Sequence, residues 1–239
     1  MIVKSLSVFL LAALCCAAQD TSMETVGPKA DGSEMTPVNQ VVDPVGRQVY
    51  LPKLRPQAIA LSPDGEILIT SGKSRDLIVV DPVTAQVTQT VPLPSDASVL
   101  TNQLPSDHIL ASDEEQQLSF TGLIFSHDGS RIYLSNVGGS IKVFGVGSDH
   151  RVRALYSITL PPANAPRRKA EVPAGLALSK DGKFLYVALN LGNRVAEIDL
   201  ATSQITRTWD VGVAPYDVVV AGGKIYVSNW GGRRPEATS

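Results

Sequence analysis

Cysteine is nearly missing from this chain of 239 residues, and the two it has, Cys15 and Cys16, are adjacent near the N-terminus. A disulfide framework and a cysteine-based metal site are thereby excluded for the rest of the chain. Aromatic residues are few, at 5%, and charge is sparse, with 18% charged residues and a net charge of −2. That balance excludes a nucleic-acid binder held by bulk charge, and equally an acidic solvating tail. No apolar run reaches the ~18–20 residues that span a bilayer, so no transmembrane segment is expected. No segment sustains a helical period either. What the chain does have is 44% hydrophobic residues, with 19 Gly and 16 Pro punctuating short apolar runs. Such a composition buries a core and excludes disorder over most of the length.

At the N-terminus, Lys4 precedes an apolar run from Leu6 to Ala18, with small residues at Cys16 and Ala18. This layout predicts a secretory signal over residues 1–18, cleaved after Ala18, and an exported product, periplasmic or extracellular. A lipoprotein signal is the closer alternative and a buried N-terminal helix the other. Lipoprotein cysteines follow Gly, Ala or Ser, whereas Leu14 and Cys15 precede the cysteines here. A mature chain starting at Gln19 keeps no thiol. Residues 19–37 are polar, with Gly27-Pro28 and Asp31-Gly32, and read as a lead-in without order. Order is expected from about Val38.

Aligning the remainder on its Asp-Gly turns exposes a repeat. Pro56-Gln-Ala-Ile-Ala-Leu-Ser-Pro-Asp-Gly65 matches Phe120-Thr-Gly-Leu-Ile-Phe-Ser-His-Asp-Gly129 and Pro173-Ala-Gly-Leu-Ala-Leu-Ser-Lys-Asp-Gly182. A shortened copy runs Pro215-Tyr-Asp-Val-Val-Val-Ala-Gly-Gly223. A second apolar run follows each turn, beginning at Ile67, Ile132, Leu185 and Ile225, and two further runs follow in each complete copy. Four short strands per ~40 residues, rich in β-branched residues and bounded by turns, predict the blades of an all-β propeller. A sandwich uses similar strands but gives no Ser-x-Asp-Gly at one position of every copy. The copies cover about 56–93, 120–160, 173–212 and, in part, 215–239, within a propeller segment 38–239. Asp64, Asp128 and Asp181 are expected to fix the first turn, and the following glycine to take a positive φ.

The elements Tyr133-Leu-Ser-Asn136, Tyr186-Val-Ala-Leu-Asn190 and Tyr226-Val-Ser-Asn229 resemble the Tyr-Val-Thr-Asn element of the YVTN-repeat (YncE-like) propellers. The stretch from Pro215 through Asn229-Trp-Gly-Gly-Arg-Arg-Pro235 is similar to one in bacterial two-domain proteins. Those join such a propeller to a C-terminal phosphoesterase of the alkaline-phosphatase superfamily. The resemblance spans Val38 to Pro235 and implies further blades and a phosphoesterase-like domain as partners. No catalytic or metal-binding residue of that domain has a counterpart in this sequence. A seven-blade ring of that family needs roughly 290 residues at ~40 per blade, against about 200 from Val38 onward. The expected architecture is therefore an incomplete ring of three full blades and a partial fourth. A four-blade closure, with 38–42 and 48–51 completing the last blade, is the alternative.

In an up-and-down meander the turns between second and third strands share one rim with the links between blades. That rim is expected to carry the ligand-binding residues Arg55, Arg75, Arg167, Arg168, Arg194, Tyr216, Trp230 and Arg233, together with Lys73, Lys169 and Arg234. Arginine forks suit a phosphorylated, carboxylated or polyanionic ligand. The other reading of the same set is a solvated loop surface, offset by Asp113, Glu114 and Glu115. Tyr216 and Trp230 either stack on a ligand or pack between blades. Asn136, Asn190 and Asn229 read as turn residues that tolerate a left-handed backbone.

The catalytic inventory is thin. His108, His127 and His150 stand alone, and the sequence contains no Gly-x-Ser-x-Gly, no Walker-type loop and no nucleotide-binding glycine fingerprint. No catalytic residue, metal or cofactor is assigned. The reading is an exported, non-catalytic propeller acting as a binding or scaffold module. The alternative is a propeller enzyme of the lactonase or quinoprotein-dehydrogenase type, although Pro56, Phe120, Pro173 and Pro215 are poor metal ligands at the inner-strand starts.

Overall fold

The computed structural model of the protein describes residues 25–95, 117–163, 165–166 and 168–234. The signal at 1–18, His108, Asp113 to Glu115 and Arg167 lie outside these residues. The chain divides into two units, Met1–Gln48 and Val49–Ser239. No helix occurs among the described residues, and none is long and apolar enough to cross a membrane.

The first unit holds three two-residue strands, β1 (Gly27–Pro28), β2 (Glu34–Met35) and β3 (Val41–Val42), paired antiparallel in that order. The polar composition of 19–37 predicts no regular structure, yet its described part carries two of these strands. Local polar contacts supply the order. The Asp31 carboxylate accepts from the Ser33 N–H at 3.0 Å and the Ser33 hydroxyl at 2.6 Å, closing the β1–β2 turn. Thr36 Oγ1 donates to the Gln40 carbonyl and accepts the Gln40 N–H, closing the next turn. Val41 and Val42 pair with β2, and 48–51 forms no strand, so these segments do not complete a blade.

The second unit is a row of blades. Blade 1 comprises β4 (Pro56–Leu61), β5 (Leu68–Gly72), β6 (Asp76–Val80) and β7 (Val87–Pro92). Blade 2 comprises β8 (Leu118–Phe125), β9 (Arg131–Asn136), β10 (Ser140–Val146) and β11 (Val152–Thr159). Blade 3 comprises β12 (Pro173–Leu178), β13 (Phe184–Leu189), β14 (Arg194–Asp199) and β15 (Gln204–Asp210). A two-stranded sheet, β16 (Pro215–Ala221) with β17 (Lys224–Asn229), is the partial fourth. Innermost strands are neighbours in chain order, β4 beside β8, β8 beside β12 and β12 beside β16. The chain is a β-propeller with an incomplete ring.

Alternation gives each blade two apolar faces, and burial follows from stacking. Leu123 and Phe125 of blade 2 join Ile69, Leu77 and Val79 of blade 1 in one core. Leu176 and Leu178 of blade 3 join Tyr133, Ile141 and Val143 of blade 2 in the next. Each blade thus presents a leading face to the blade before it and a trailing face to the blade after it.

Strand pairing sets the repeat alignment. Leu61 opposes Leu68, Phe125 opposes Ile132, Leu178 opposes Leu185 and Val220 opposes Ile225. The second run of the first copy therefore starts at Leu68 rather than Ile67. The turns 62–67 and 126–131 have equal length, so Ile69 stands where the other copies have Tyr133, Tyr186 and Tyr226.

The Asp-Gly turns are built alike. Ser62, Ser126 and Ser179 each donate a hydroxyl hydrogen bond to the aspartate two residues on, at 2.5, 2.6 and 2.7 Å. Each serine Oγ also accepts the N–H of the residue five positions on, at Ile67, Arg131 and Phe184. Gly65, Gly129 and Gly182 sit at φ of 81°, 72° and 69°, as expected. The Ser126 hydroxyl first, then the N–H and hydroxyl of Ser130, hold the Asp128 carboxyl down at about 2. Asp64 and Asp181 are likewise lowered, chiefly by the Ser62 and Ser179 hydroxyls.

Two outcomes follow from these turns. Gly182→Val forces a branched side chain into a left-handed backbone and should cost at least about 1 kcal/mol in thermal or denaturant unfolding; an unchanged melt contradicts the turn's role. A carboxylate whose folded pKa lies below its unfolded value near ~3.9 contributes stability that is present above that value and fades as pH falls through the folded one. Melting temperature should therefore drop between about pH 4 and about pH 2, with a shallower drop in Asp128→Asn. Identical pH profiles for the two chains would remove Asp128 from the account.

Candidate functional site

Strand parity places the β5–β6, β9–β10 and β13–β14 turns on the rim opposite the Asp-Gly turns, together with the links that lead into β8, β12 and β16. Of the basic residues expected to gather on that rim, those among the described residues stand in separate groups. Lys73 and Arg75, with Lys53, line a recess of about 890 Å³ beside Tyr50, Leu51 and Ile78. Arg55 neighbours this group through its backbone, its carbonyl accepting the Lys73 N–H at 3.1 Å. Arg168 donates to the Val137 carbonyl, tying the link before β12 to the β9–β10 turn.

The densest group lies where blade 3 meets the partial blade 4. Arg194 opens β14, and Asp210, its direct partner across the β14–β15 ladder, ends β15. Arg194 Nε donates to Asp210 Oδ1 at 3.0 Å, and Arg234 Nη1 lies 3.5 Å from Asp210 Oδ2. Arg194 first, then Arg234, keep the Asp210 carboxyl below the usual range. Arg234 also donates to the Asn193 carbonyl. Asp210, Val211, Gly212, Asn229, Gly232, Arg233 and Arg234 enclose an open recess of about 550 Å³. Arg233 is exposed on its wall and has no hydrogen bond or ion pair among the described residues. Asn229 Oδ1 is enclosed and lacks a partner among the described residues.

Backbone contacts shape this recess. Val213 donates to the Gly232 carbonyl and Gly231 donates to the Val213 carbonyl, both at 2.9 Å. A side chain at Gly212 would strike the Gly232 carbonyl at 2.3 Å, so only glycine permits the approach. The neighbouring β13–β14 turn is pinned from below by Glu171. Its buried carboxylate accepts N–H groups from Val172, Leu191 and Gly192 at 2.9, 2.9 and 3.3 Å. Burial raises the Glu171 pKa, and these three donors oppose the rise. Asn193 sits at φ 53° in the same turn, and its Oδ1 accepts the Ala214 N–H at 2.8 Å.

The rim asparagines differ from expectation. Asn136, Asn190 and Asn229 have no positive φ; Gly139 and Asn193 supply the left-handed residues of those turns. Asn136 Nδ2 donates to the Gln117 carbonyl at 3.2 Å, and Asn190 Nδ2 to the Pro215 carbonyl at 3.0 Å. The second of these bonds joins blade 3 to the start of β16. These amides act as ties because a carbonyl faces each of them at the strand end.

Tyr216 and Trp230 stack on each other, with centroids 4.4 Å apart and planes 17° from parallel. Phe120, held at φ 54° in the β8 bulge, meets both edge-on at 5.5 and 5.3 Å although β12 lies between β8 and β16. Trp230 remains mostly exposed, leaving an aromatic surface next to the arginine recess. Of the remaining histidines, His127 Nε2 contacts the Ser179 carbonyl at 2.9 Å, and His150 lies 3.6 Å from Asp64 Oδ2. Among the described residues no three His, Cys, Asp or Glu side chains gather as a metal site.

Asp210, Glu171 and Phe120 were missed by sequence reasoning. Asp210 is signalled only by its register opposite Arg194, Glu171 by a lone acid among basic residues, and Phe120 by replacing proline at its repeat position.

No family model matches the sequence, and no curated protein does. Solved structures do. Kuenenia stuttgartiensis hydrazine synthase is 22% identical over 74% of this chain and 42% of its own, with a TM-score of 0.51. The RRP9 WD40 repeats are 15% identical over 72% and 44%, with a TM-score of 0.52. The Myceliophteria thermophila Cps50 (Swd1) β-propeller domain is 12% identical over 83% and 62%, with a TM-score of 0.54. The chain spans less than two thirds of each of these. At such identities the likeness is one of fold, and that fold is the β-propeller.

Proposed function

We propose that this chain is the propeller portion of an exported binding or scaffold protein, and that the Arg194–Asp210–Arg233–Arg234 recess takes an anionic ligand. The observation that carries the reading is Arg233. Among the described residues its guanidinium stands exposed over the recess with no anion paired to it, while the acid that lines the recess, Asp210, is shared between two other arginines. A carboxylate or phosphate entering there meets a net positive wall and fork-shaped donors. The exposed face of Trp230 offers a stacking surface for an attached ring.

The elements Tyr133–Asn136, Tyr186–Asn190 and Tyr226–Asn229 and the Asn229-Trp-Gly-Gly-Arg-Arg-Pro235 stretch support membership among YncE-like propellers. They also support attachment, in the whole protein, to further blades and a phosphoesterase-like domain. In that setting the module would hold a substrate or partner near the second domain, and the N-terminal signal would export both.

Titration calorimetry with inorganic phosphate and with citrate at low salt tests the recess. Arg233→Ala should weaken binding about tenfold, or ~1.4 kcal/mol, within the range of one charge-assisted hydrogen bond. Asp210→Asn should tighten it by removing the competing carboxylate. Equal affinities for the unaltered chain and Arg233→Ala would exclude the recess as the anion site.

A further inference from the structure

Blade 2 departs from the repeat in its first strand. By their pairing partners, Ile59, Leu123, Leu176 and Val218 share one position in their blades, and Pro56, Leu118, Pro173 and Pro215 share another. Between these two positions β8 carries two more residues than β4, β12 or β16. The extra chain forms the bulge that holds Phe120 at φ 54°, a conformation rarely adopted by bulky side chains. Contacts with blade 3 keep it there. Ser119 donates its hydroxyl to the Pro173 carbonyl, and Ser135 donates to the Ala174 carbonyl at 2.5 Å. A Cβ at Gly122 would lie 2.2 Å from the same Ala174 carbonyl, so the bulge rests on the start of β12. From that seat the Phe120 ring reaches over β12 to Tyr216 and Trp230, at 5.5 and 5.3 Å with planes 68° and 82° apart. Backbone strain of this kind persists only where the surroundings over-determine it.

Trp230 opens the turn that ends in Arg233. Gly231 and Gly232 lie between them, the second at φ 72°, and two adjacent glycines give that stretch wide backbone freedom. On the Trp230 side the turn is held by backbone bonds to Val213 and Ala214 and by the indole, stacked on Tyr216 and braced at its edge by Phe120. On the far side Arg234 is tied to Asn193 and Asp210. Arg233 therefore projects from between two anchors, and the aromatic one includes a residue two blades away. We infer that Phe120 is a positioning residue of the arginine recess: its ring, reaching across blade 3, fixes Trp230 and with it the 229–233 turn from which Arg233 enters the recess. Edge-to-face contacts suit this task because they set the orientation of an aromatic pair as well as its distance. The inference rests on the anion reading of the recess for its binding consequence, and on the aromatic geometry alone for the hold on Trp230.

Phe120→Gly in the full chain is the test, because glycine accepts the left-handed backbone freely and so removes the ring and the strain together. Two readouts are taken. The first is fluorine NMR of the chain labelled with 5-fluorotryptophan, in which Trp209 and Trp230 give two resonances, assigned by Trp230→Phe. The Trp230 line should narrow in Phe120→Gly as the indole gains motion, the Trp209 line should keep its width, and Phe120→Tyr should restore both. The second is calorimetry with inorganic phosphate. Phe120→Gly should weaken binding about fivefold, with no further loss when Arg233 is already alanine, the coupling expected of residues that act through one another. Should Phe120→Gly melt early, Phe120→Leu, which keeps an apolar side chain without the aromatic ring, is read in the same way. An unchanged Trp230 line overturns the inference. A narrowed line with undiminished phosphate affinity overturns it as well, because the hold on Trp230 would then not reach Arg233. An unaltered chain that binds no phosphate, with Trp230 still released in Phe120→Gly, removes the anion reading and supports the hold of Phe120 on the turn.

Discussion

A four-stranded sheet buries an apolar face only by stacking it against another sheet, and much else in this structure follows from that constraint. Alternation along β8 sends Leu123 and Phe125 toward blade 1 and Ile124 toward blade 3, so the strand is committed to neighbours on both sides. Full burial of a leucine or isoleucine side chain contributes ~1.5–3 kcal/mol, and each interface gathers several. No local hydrogen bond in the turns approaches that total. The turns instead decide register: a six-residue Ser-x-Asp-Gly link sets which residues of the second strand face the core. A one-residue slip would turn Leu134 and Leu185 to the wrong side.

Because stacking fixes the sheets, the rims are free to carry chemistry. On the Asp-Gly rim the polar groups are consumed in closing turns, with serine hydroxyls and aspartates satisfying one another and the backbone. On the opposite rim the links between blades bring residues far apart in sequence together, as Arg194, Asp210 and Arg233 show. There the backbone is pinned by Glu171, Asn190 and Asn193, so that the arginine forks project from an ordered edge. Position on a rigid sheet end, rather than any sequence motif, makes this a site.

Much of this was legible in the sequence, for identifiable reasons. The Asp-Gly turns recur at a fixed place, so the blades, their inner strands and the positive-φ glycines follow directly from them. Arg194 and Arg233 could be assigned to one rim by parity alone. Their grouping with Asp210 could not, because it depends on the cross-strand register and on the close approach at Gly212. The asparagines were misread for a related reason. Residue preference suggests a left-handed turn, but for Asn136 and Asn190 a carbonyl of the neighbouring segment lies within reach of the amide, and the bond to it prevails. The lead-in through residue 37 was judged on hydropathy, which does not register Asp31–Ser33 and Thr36–Gln40 contacts. Arg167 and the acidic trio fall outside the described residues, so their expected roles rest on sequence alone.

The central claim is that position in the stack, not residue type, determines what an inner-strand side chain contributes. Ile59 and Leu176 hold the same place in their blades, one uncovered and one enclosed. Denaturant unfolding of Leu176→Ala and Ile59→Ala compares them directly. The stacking account predicts a loss of about 2–4 kcal/mol for Leu176→Ala and under about 0.5 kcal/mol for Ile59→Ala. Equal losses at the two positions would contradict it.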